Sequence, residues 1–342
     1  MNIIRYICVC AILLLTIPLC ERDRVINGAA DRNSFEGSNI ICAIDLGDDM
    51  TGAHGLETGF SYELMKRFAK DNNCCINFIV HNNGENFKDS LTSGKIDLII
   101  THKEALEDRK GIRVSTDLDE CSIIAVKDMG GCHRINEVNT WIRHIKSSGE
   151  YAAIRSQFTG TSNPVKKAEQ GIIARRVSPY DEMIRKYAAE LEWDWRMLAA
   201  VVYQESKFSI NSRSHRGAQG LMQVMPSTAL RYGITDLVDP ESNLIAGTKH
   251  LKMLQNIWKK CGMEPSEIIR FTLASYNAGE GRIMNCRDFA SEKGYDADKW
   301  EDILKAIPMM REEGKFRGYE TIAYIENIET LYEAICAIHP RG

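Results

Sequence analysis

Short apolar runs of five or six residues fill the first third of this sequence and then stop. Residues 40–44 (Ile-Ile-Cys-Ala-Ile), 75–80 (Cys-Ile-Asn-Phe-Ile-Val), 96–100 (Ile-Asp-Leu-Ile-Ile) and 121–126 (Cys-Ser-Ile-Ile-Ala-Val) read as buried strands bounded by polar residues. Between them, residues 60–68 carry Tyr62, Leu64, Met65 and Phe68 at helical spacing, and residues 87–91 form a shorter helix ended by Gly94. This β-α-β-α-β order favours a parallel sheet with right-handed crossovers, and residues 136–147 close the region as a helix. From Tyr180 the strand signals almost vanish. Residues 180–191, 197–203, 240–257, 265–273 and 319–337 all read as helices, and Asp194 is placed to cap the second of them. Two domains follow: an α/β domain over residues 38–158 and a mostly α domain over 180–342. Residues 159–179, with Gly160, Pro164, Gly171, Pro179 and the pairs Lys166-Lys167 and Arg175-Arg176, read as a linker with a solvated basic face.

Before the first strand, Arg5 precedes an apolar run over residues 7–19, followed by Cys20 and the charged stretch Glu21-Arg22-Asp23-Arg24. A membrane span needs roughly 20 apolar residues, so this shorter pattern fits a secretory signal over residues 1–20, with an uncleaved anchor as the alternative. Residues 21–37 read as a polar tether, and the protein is expected in the bacterial cell envelope. Ile17-Pro18-Leu19-Cys20 resembles a lipobox, whose cysteine becomes lipidated, although Leu19 departs from the small residue expected there. The compartment would permit disulfides among the eleven cysteines. Cys121 with Cys132 and Cys261 with Cys286 are the local pairs, and free buried thiols are the alternative. No CxxC or HExxH pattern occurs, so neither a metal site nor a cofactor is expected. A net charge of −4 gives no general attraction to a polyanion, and nucleic acid is excluded as a partner class.

The chemistry centres on Glu205. An apolar helix over residues 197–203 delivers this acid to the edge of a Ser/Asn/Arg/Gly-rich loop, where desolvation raises a carboxyl pKa toward neutrality and keeps it protonated as a general acid. Glu205-Ser206, then Gly220-Leu221-Met222-Gln223 with Pro226 and Thr228-Ala229, then Ala274-Ser275-Tyr276-Asn277-Ala278-Gly279, resemble three motifs of the family 1 lytic transglycosylase (SLT) catalytic domain, and Tyr324 resembles the family's late tyrosine. The resemblance covers about residues 178–340 and implies a lysozyme-like fold. It also implies that Glu205 is the catalytic acid and that Gln223 contacts the sugar N-acetyl or peptide-bearing side. By the same resemblance, Ser214 lies near the acid, the Tyr276 phenol hydrogen-bonds near it beside Asn277, and Tyr324 lines the cleft. Met222 and Met225 are candidates for the apolar wall that keeps the acid protonated.

In the first domain, Gly59-Phe60-Ser61-Tyr62-Glu63-Leu64 and Ser93-Gly94-Lys95-Ile96-Asp97-Leu98 resemble segments of a family 3 periplasmic solute-binding domain, as found before the catalytic domain in the membrane-bound transglycosylase F group. The chain runs from the fourth strand directly to the terminal helix, so the second lobe of such a domain is expected to be missing. A single lobe then serves as a spacer or as a docking surface for a muropeptide, an amino acid or a protein partner.

Glycosidases usually employ two carboxylates. The resemblance supplies only Glu205, and the nearby Asp236, Asp239 and Glu241 flank Pro240, where helix capping accounts for them. The nucleophile is then expected from the substrate: the muramyl 6-hydroxyl, closing a 1,6-anhydro ring on peptidoglycan. A muramidase that uses water and a non-catalytic wall- or solute-binding protein are the competing readings.

Overall fold

The computed structural model describes residues 34–46, 55–80, 86–106, 108–130, 133–159, 163–314, 316 and 318–340. The expected signal sequence, the proposed lipidation site Cys20 and most of the stretch expected as a tether lie outside the described residues. The tether's last residues are described, and there Phe35 is fully buried against Phe68, its amide donating to Glu137 at 3.0 Å. An aromatic side chain at that position gives the chain a reason to pack rather than hang free.

The first part is a five-stranded sheet of β1 (Asn39–Asp45), β2 (Cys75–Val80), β3 (Leu98–His102), β4 (Ile112–Val114) and β5 (Ser122–Lys127), in the order β2-β1-β3-β5-β4. β1 pairs in parallel with β2 and β3 through the connecting helices α1 (Gly55–Asp71) and α2 (Phe87–Ser93). Beyond β3 the expected parallel pattern ends. β5 runs antiparallel to β3 and to β4, because no helix-length crossover separates these strands and short connections favour antiparallel pairs. β4, a three-residue edge strand, gave no sequence signal.

Strand alternation divides the sheet's faces. Cys42, Ile44, Ile124 and Val126 join a core with α1 and α3 (His133–Ser147), while Ala43, Ile99, Ile123 and Ala125 pack with Phe87 and Leu91 of α2. α4 (Glu150–Phe158) then lies along α1.

The remainder is helical: α5 (Pro164–Glu169), α6 (Asp181–Leu191), α7 (Trp195–Ser206), α8 (Pro226–Arg231), α9 (Pro240–Lys260), α10 (Pro265–Ala278), α11 (Glu280–Glu292), α12 (Trp300–Glu312) and α13 (Tyr319–Ile338). α7 packs on α13, and α9 on α6 and α10. The stretch expected as a linker is not bare chain: α5 lies against α13, and the Ala174 amide donates to the Ile338 carbonyl at 2.7 Å. Further on, Ser178 and the buried Asp181 carboxylate close a hydrogen-bonded turn into α6.

One apolar core runs from Phe35 to Ile335 through both parts. α1 is the shared element, with Leu64 and Phe68 toward the sheet side and glycines at the helical side. A Cβ on Gly59 would sit 2.5 Å from the Tyr180 hydroxyl and 2.8 Å from the Phe158 ring, so this contact requires glycine. Nearby, the Tyr62 hydroxyl donates to Asp239 at 2.8 Å. The guessed Cys261–Cys286 disulfide is absent: Cys261 is an exposed thiol capping α9, whereas Cys286 is buried inside α11. Cys121 is likewise a free, exposed thiol, and Cys132 lies outside the described residues.

Candidate active site

Asp194 begins α7 as anticipated, its carboxylate accepting from the Arg196 amide. The helix is apolar through Val202 and ends where Lys207 takes the left-handed conformation and donates its amide to Tyr203. Glu205 therefore sits in the last turn, at the negative end of the helix dipole, where a carboxylate is disfavoured. Burial raises its pKa to about 7, against the lowering effect of its hydrogen bond with Tyr324. That bond, from the Tyr324 hydroxyl to Glu205 Oε1 at 2.5 Å, crosses from α13 to α7.

The loop after α7 is folded back on the helix. Ser206 Oγ donates to the Leu221 carbonyl at 2.8 Å, and β-bridges join Arg213 to Gln219 and Gln219 to Val224. Buried Asn243 of α9 fixes the strip from the other side. Its Oδ1 accepts from the Met222 amide at 2.9 Å, and its Nδ2 donates to the Gln219 and Leu237 carbonyls at 2.9 and 2.8 Å. Gly220 has φ +74°, and a Cβ there would lie 2.1 Å from Asn243 Nδ2, so glycine is required on both counts. A Cβ on Gly247 would lie 2.4 Å from the Met222 sulfur, so this glycine lets α9 close over that side chain.

The residues singled out from sequence fall into three groups. Glu205, Tyr324, Tyr276 and Met222 come together. The Tyr276 hydroxyl donates to the Met222 carbonyl at 2.8 Å rather than to the acid. Burial and the charge of Glu205 hold the phenols of Tyr276 and Tyr324 far above their ordinary pKa, so both remain hydrogen-bond donors. Met222 is fully buried beside this cluster, whereas Met225 is 38% exposed at the start of α8.

Asn277 and Gln223 brace the surround. Asn277 Oδ1 accepts from Thr321 Oγ1 at 2.9 Å, tying α10 to the first turn of α13 and so to Tyr324 one turn on. Gln223, with φ +48°, donates its amide to the Ser212 and Gly220 carbonyls at 3.0 and 3.1 Å. Ser214 stands apart. Its hydroxyl accepts from the Ala218 amide at 3.0 Å, closing its own turn.

Sequence reasoning passed over Asn243, Gly247 and Thr321. Asn243 carried a detectable signal, a polar residue on the buried stripe of an amphipathic helix that also holds Leu244, Leu251 and Leu254.

The nearby acids are engaged elsewhere. Asp236 accepts from the Val238 and Asp239 amides, Asp239 caps α9 through Ser242 and receives Tyr62, and Glu241 accepts from Lys186 and Tyr187. Tyr324 is the one hydrogen-bond partner of Glu205 among the described residues. The result is one enclosed, protonatable carboxyl held by one phenol.

Residues 182–300, which span the acid, the loop and the Tyr276-Asn277 pair, match the Transglycosylase SLT domain family. The chain is similar to proteins named membrane-bound lytic murein transglycosylase F. It is 34% identical to that of Desulfosudis oleivorans over 212 residues, 58% of this chain and 46% of the relative. It is 26% identical to that of Pseudomonas fluorescens over 266 residues, 72% and 54% respectively, and 31% identical to that of Vibrio cholerae over 205 residues, 56% and 38%. The chain spans about half the length of the curated relatives it matches.

Proposed function

We propose that this chain is a peptidoglycan lytic transglycosylase that cleaves the β-1,4 bond between N-acetylmuramic acid and N-acetylglucosamine and leaves a 1,6-anhydromuramyl end. The observation that carries the reading is the single carboxyl of Glu205, held near pKa 7 by burial and bonded to Tyr324, with no second carboxylate in contact among the described residues. Protonated Glu205 gives its proton to the glycosidic oxygen as the bond to the muramyl C1 breaks. The resulting carboxylate takes the proton of the muramyl 6-hydroxyl as that oxygen bonds to C1. Glu205 is regenerated and no water is consumed, so one acid suffices where a hydrolase needs two.

In this reading Tyr324 holds Oε1 and steadies the carboxylate between the two proton transfers. Met222 and Tyr276 form the dry wall that keeps the acid protonated beforehand. Gln223 and Asn277 border the glycan, and Ser214 shapes the rim of the loop. The relatives' shared name, lytic murein transglycosylase, supports the substrate class.

The helical part is assigned the lysozyme-like catalytic domain and the sheet part a single solute-binding-like lobe. With one sheet among the described residues, and α1 sharing its core with the catalytic part, the lobe serves as a fixed spacer and docking surface rather than a closing cleft. We place the protein in the cell envelope as an exported, membrane-associated enzyme. Among the described residues no helix is long and apolar enough to cross a membrane; the proposed attachment rests on the apolar run over residues 7–19 and on the relatives' shared name, membrane-bound lytic murein transglycosylase F.

Purified protein incubated with sacculi tests the assignment. Release of soluble muropeptides by the parent protein is expected, with none from Glu205→Gln although that variant still co-sediments with the sacculi. Equal release by both proteins removes Glu205 from the chemistry.

A further inference from the structure

The turn between α5 and α6 carries the most exposed large apolar side chain among the described residues. Ile173 is 69% exposed and Ile172 beside it 42%, and no other two such side chains there are adjacent in the chain. Single exposed apolar residues are ordinary on a folded surface, whereas an adjacent pair calls for a reason. Cations stand on both sides of this pair. Residues 163–176 hold Lys166, Lys167, Arg175 and Arg176 against one carboxylate, Glu169, in a chain of net charge −4. Lys166, Arg175 and Arg176 are exposed and form no ion pair among the described residues, whereas Lys186 is paired with Glu241, Lys259 with Glu192 and Arg270 with Glu329. Solvation accounts for a basic face, but not for two isoleucines set in its middle.

The backbone fixes the pair in this position. α5 ends at Gly171, with φ +66°, whose amide donates to the Ala168 carbonyl at 3.0 Å while the Ile172 amide donates to the Lys167 carbonyl at 2.9 Å. A helix closed in this way commonly packs the side chain at the position of Ile172 against an apolar residue of its last turn, but the two positions in reach are Lys166 and Lys167. Directly after the pair, the Ala174 amide donates to the Ile338 carbonyl at 2.7 Å, and the Val177 amide to the Asp181 carboxylate at 2.9 Å. The isoleucines therefore stand on a turn tied down at both ends. Through α5 and Ile338 it is tied to α13, the helix of Tyr324.

We propose that this turn is a docking surface for an anionic lipid bilayer, with Ile172 and Ile173 entering the edge of the acyl layer and Lys166, Arg175 and Arg176 meeting the headgroup phosphates. Arg175 lies two residues, roughly 7 Å of extended chain, beyond Ile173, which matches the roughly 5–10 Å by which apolar groups enter such an interface. A dissolved polyanion would satisfy the cations and leave the isoleucines in water, so the apolar pair favours lipid. Because the turn is fixed to α13, docking orients the shared core on the membrane, which attachment through a chain end alone leaves free. The inference deepens the membrane-associated reading and is independent of the transglycosylase reading.

The test uses the full chain carrying Ile173→Trp and vesicles of phosphatidylcholine with about 30% phosphatidylglycerol, whose brominated acyl chains quench a tryptophan only on contact. Of the five native tryptophans, Trp141, Trp193, Trp258 and Trp300 are buried and Trp195 is half-buried under Arg185, so the parent protein supplies the baseline. Quenching beyond that baseline is expected with the anionic vesicles and not with phosphatidylcholine alone. Adding Arg175→Gln and Arg176→Gln should weaken the docking constant read from the quenching titration by about twentyfold, about fivefold for each cation, and salt at about 0.5 M should weaken it similarly. Leu230→Trp, at a 64% exposed position on α8, should stay at the baseline. No extra quenching of Ile173→Trp, or equal quenching of Leu230→Trp, overturns the proposal. Charge-dependent vesicle association without quenching at residue 173 also overturns it, and leaves the cations to a dissolved polyanion. Retention of the chain in the cytoplasm of the producing cell would instead overturn the envelope reading, because the vesicle measurement does not depend on export.

Discussion

Replacing Tyr324 by Phe removes the one hydrogen bond that Glu205 receives among the described residues and nothing else of size. The phenol donates to Oε1 at 2.5 Å and favours the charged carboxylate, so it holds the acid below the value that burial alone would set. A hydrogen bond to a charged group contributes about 1.5–3 kcal/mol, and about 1.4 kcal/mol corresponds to one pH unit. Water admitted in place of the hydroxyl recovers part of this, which leaves a rise of about one unit. In the proposed reaction Glu205 acts first as an acid, so kcat/KM should fall as pH rises through its pKa, near 7 in the parent protein. The alkaline limb of the profile should therefore move to about pH 8 in Tyr324→Phe, with a lower plateau because the carboxylate loses its donor. The assay is the initial rate of muropeptide release between about pH 5 and 9, with circular dichroism at each pH. An alkaline limb that stays in place, or moves to lower pH, would refute the assignment of Tyr324 as the group that tunes the acid.

Four further outcomes follow from the same contacts. Glu205 has a folded pKa of about 7 against an ordinary 4.5, so its contribution is intact below the lower value and is lost as pH rises through the higher. Glu205→Gln should thus be more stable than the parent by up to about 3 kcal/mol near pH 8.5 and nearly equal to it near pH 4.5, as measured by urea denaturation. Asn243→Ala removes three hydrogen bonds and leaves the Met222 amide and the Leu237 carbonyl without these partners, while the Gln219 carbonyl keeps the Val224 amide, and should cost about 2–4 kcal/mol, with lowered turnover as the Met222 strip loosens. Gly247→Ala drives a methyl into the Met222 side chain and should cost about 1–3 kcal/mol by the same measurement. Tyr62→Phe deletes the bond to Asp239 that joins α1 to the cap of α9, and a loss of about 1–2 kcal/mol in a single unfolding transition is expected, because one core spans both parts.

Helix α7 was legible because its signals are local: an N-cap at Asp194, an apolar face, and an acid in the last turn. Strands β1, β2, β3 and β5 were legible as short apolar runs, but their pairing was not. The reversal between β3 and β5 depends on the connection rather than on the composition of the strands. Likewise, Pro and Gly made residues 159–179 look like free linker, yet α5 finds its partner in α13, more than 150 residues on. The identity of Glu205 and Tyr324 as site candidates came from motif resemblance, whereas the bond between them belongs to the packing of α7 on α13. Asn277 shows the limit of motif reading. Its amide oxygen is taken by Thr321, a residue that stands out only once α10 and α13 are side by side. Asn243 and Gly247 were missed for the same reason, since their partners lie across the loop rather than along the helix.

The mass of the released muropeptides tests the central claim most directly, that one carboxyl and the substrate's own hydroxyl carry out the cleavage. Parent protein should yield muropeptides with an anhydromuramyl end, each one water lighter than the product of hydrolysis, and Glu205→Gln should yield none. Products with a reducing muramic end would show that water is the nucleophile, and would contradict the account even if Glu205 proved essential.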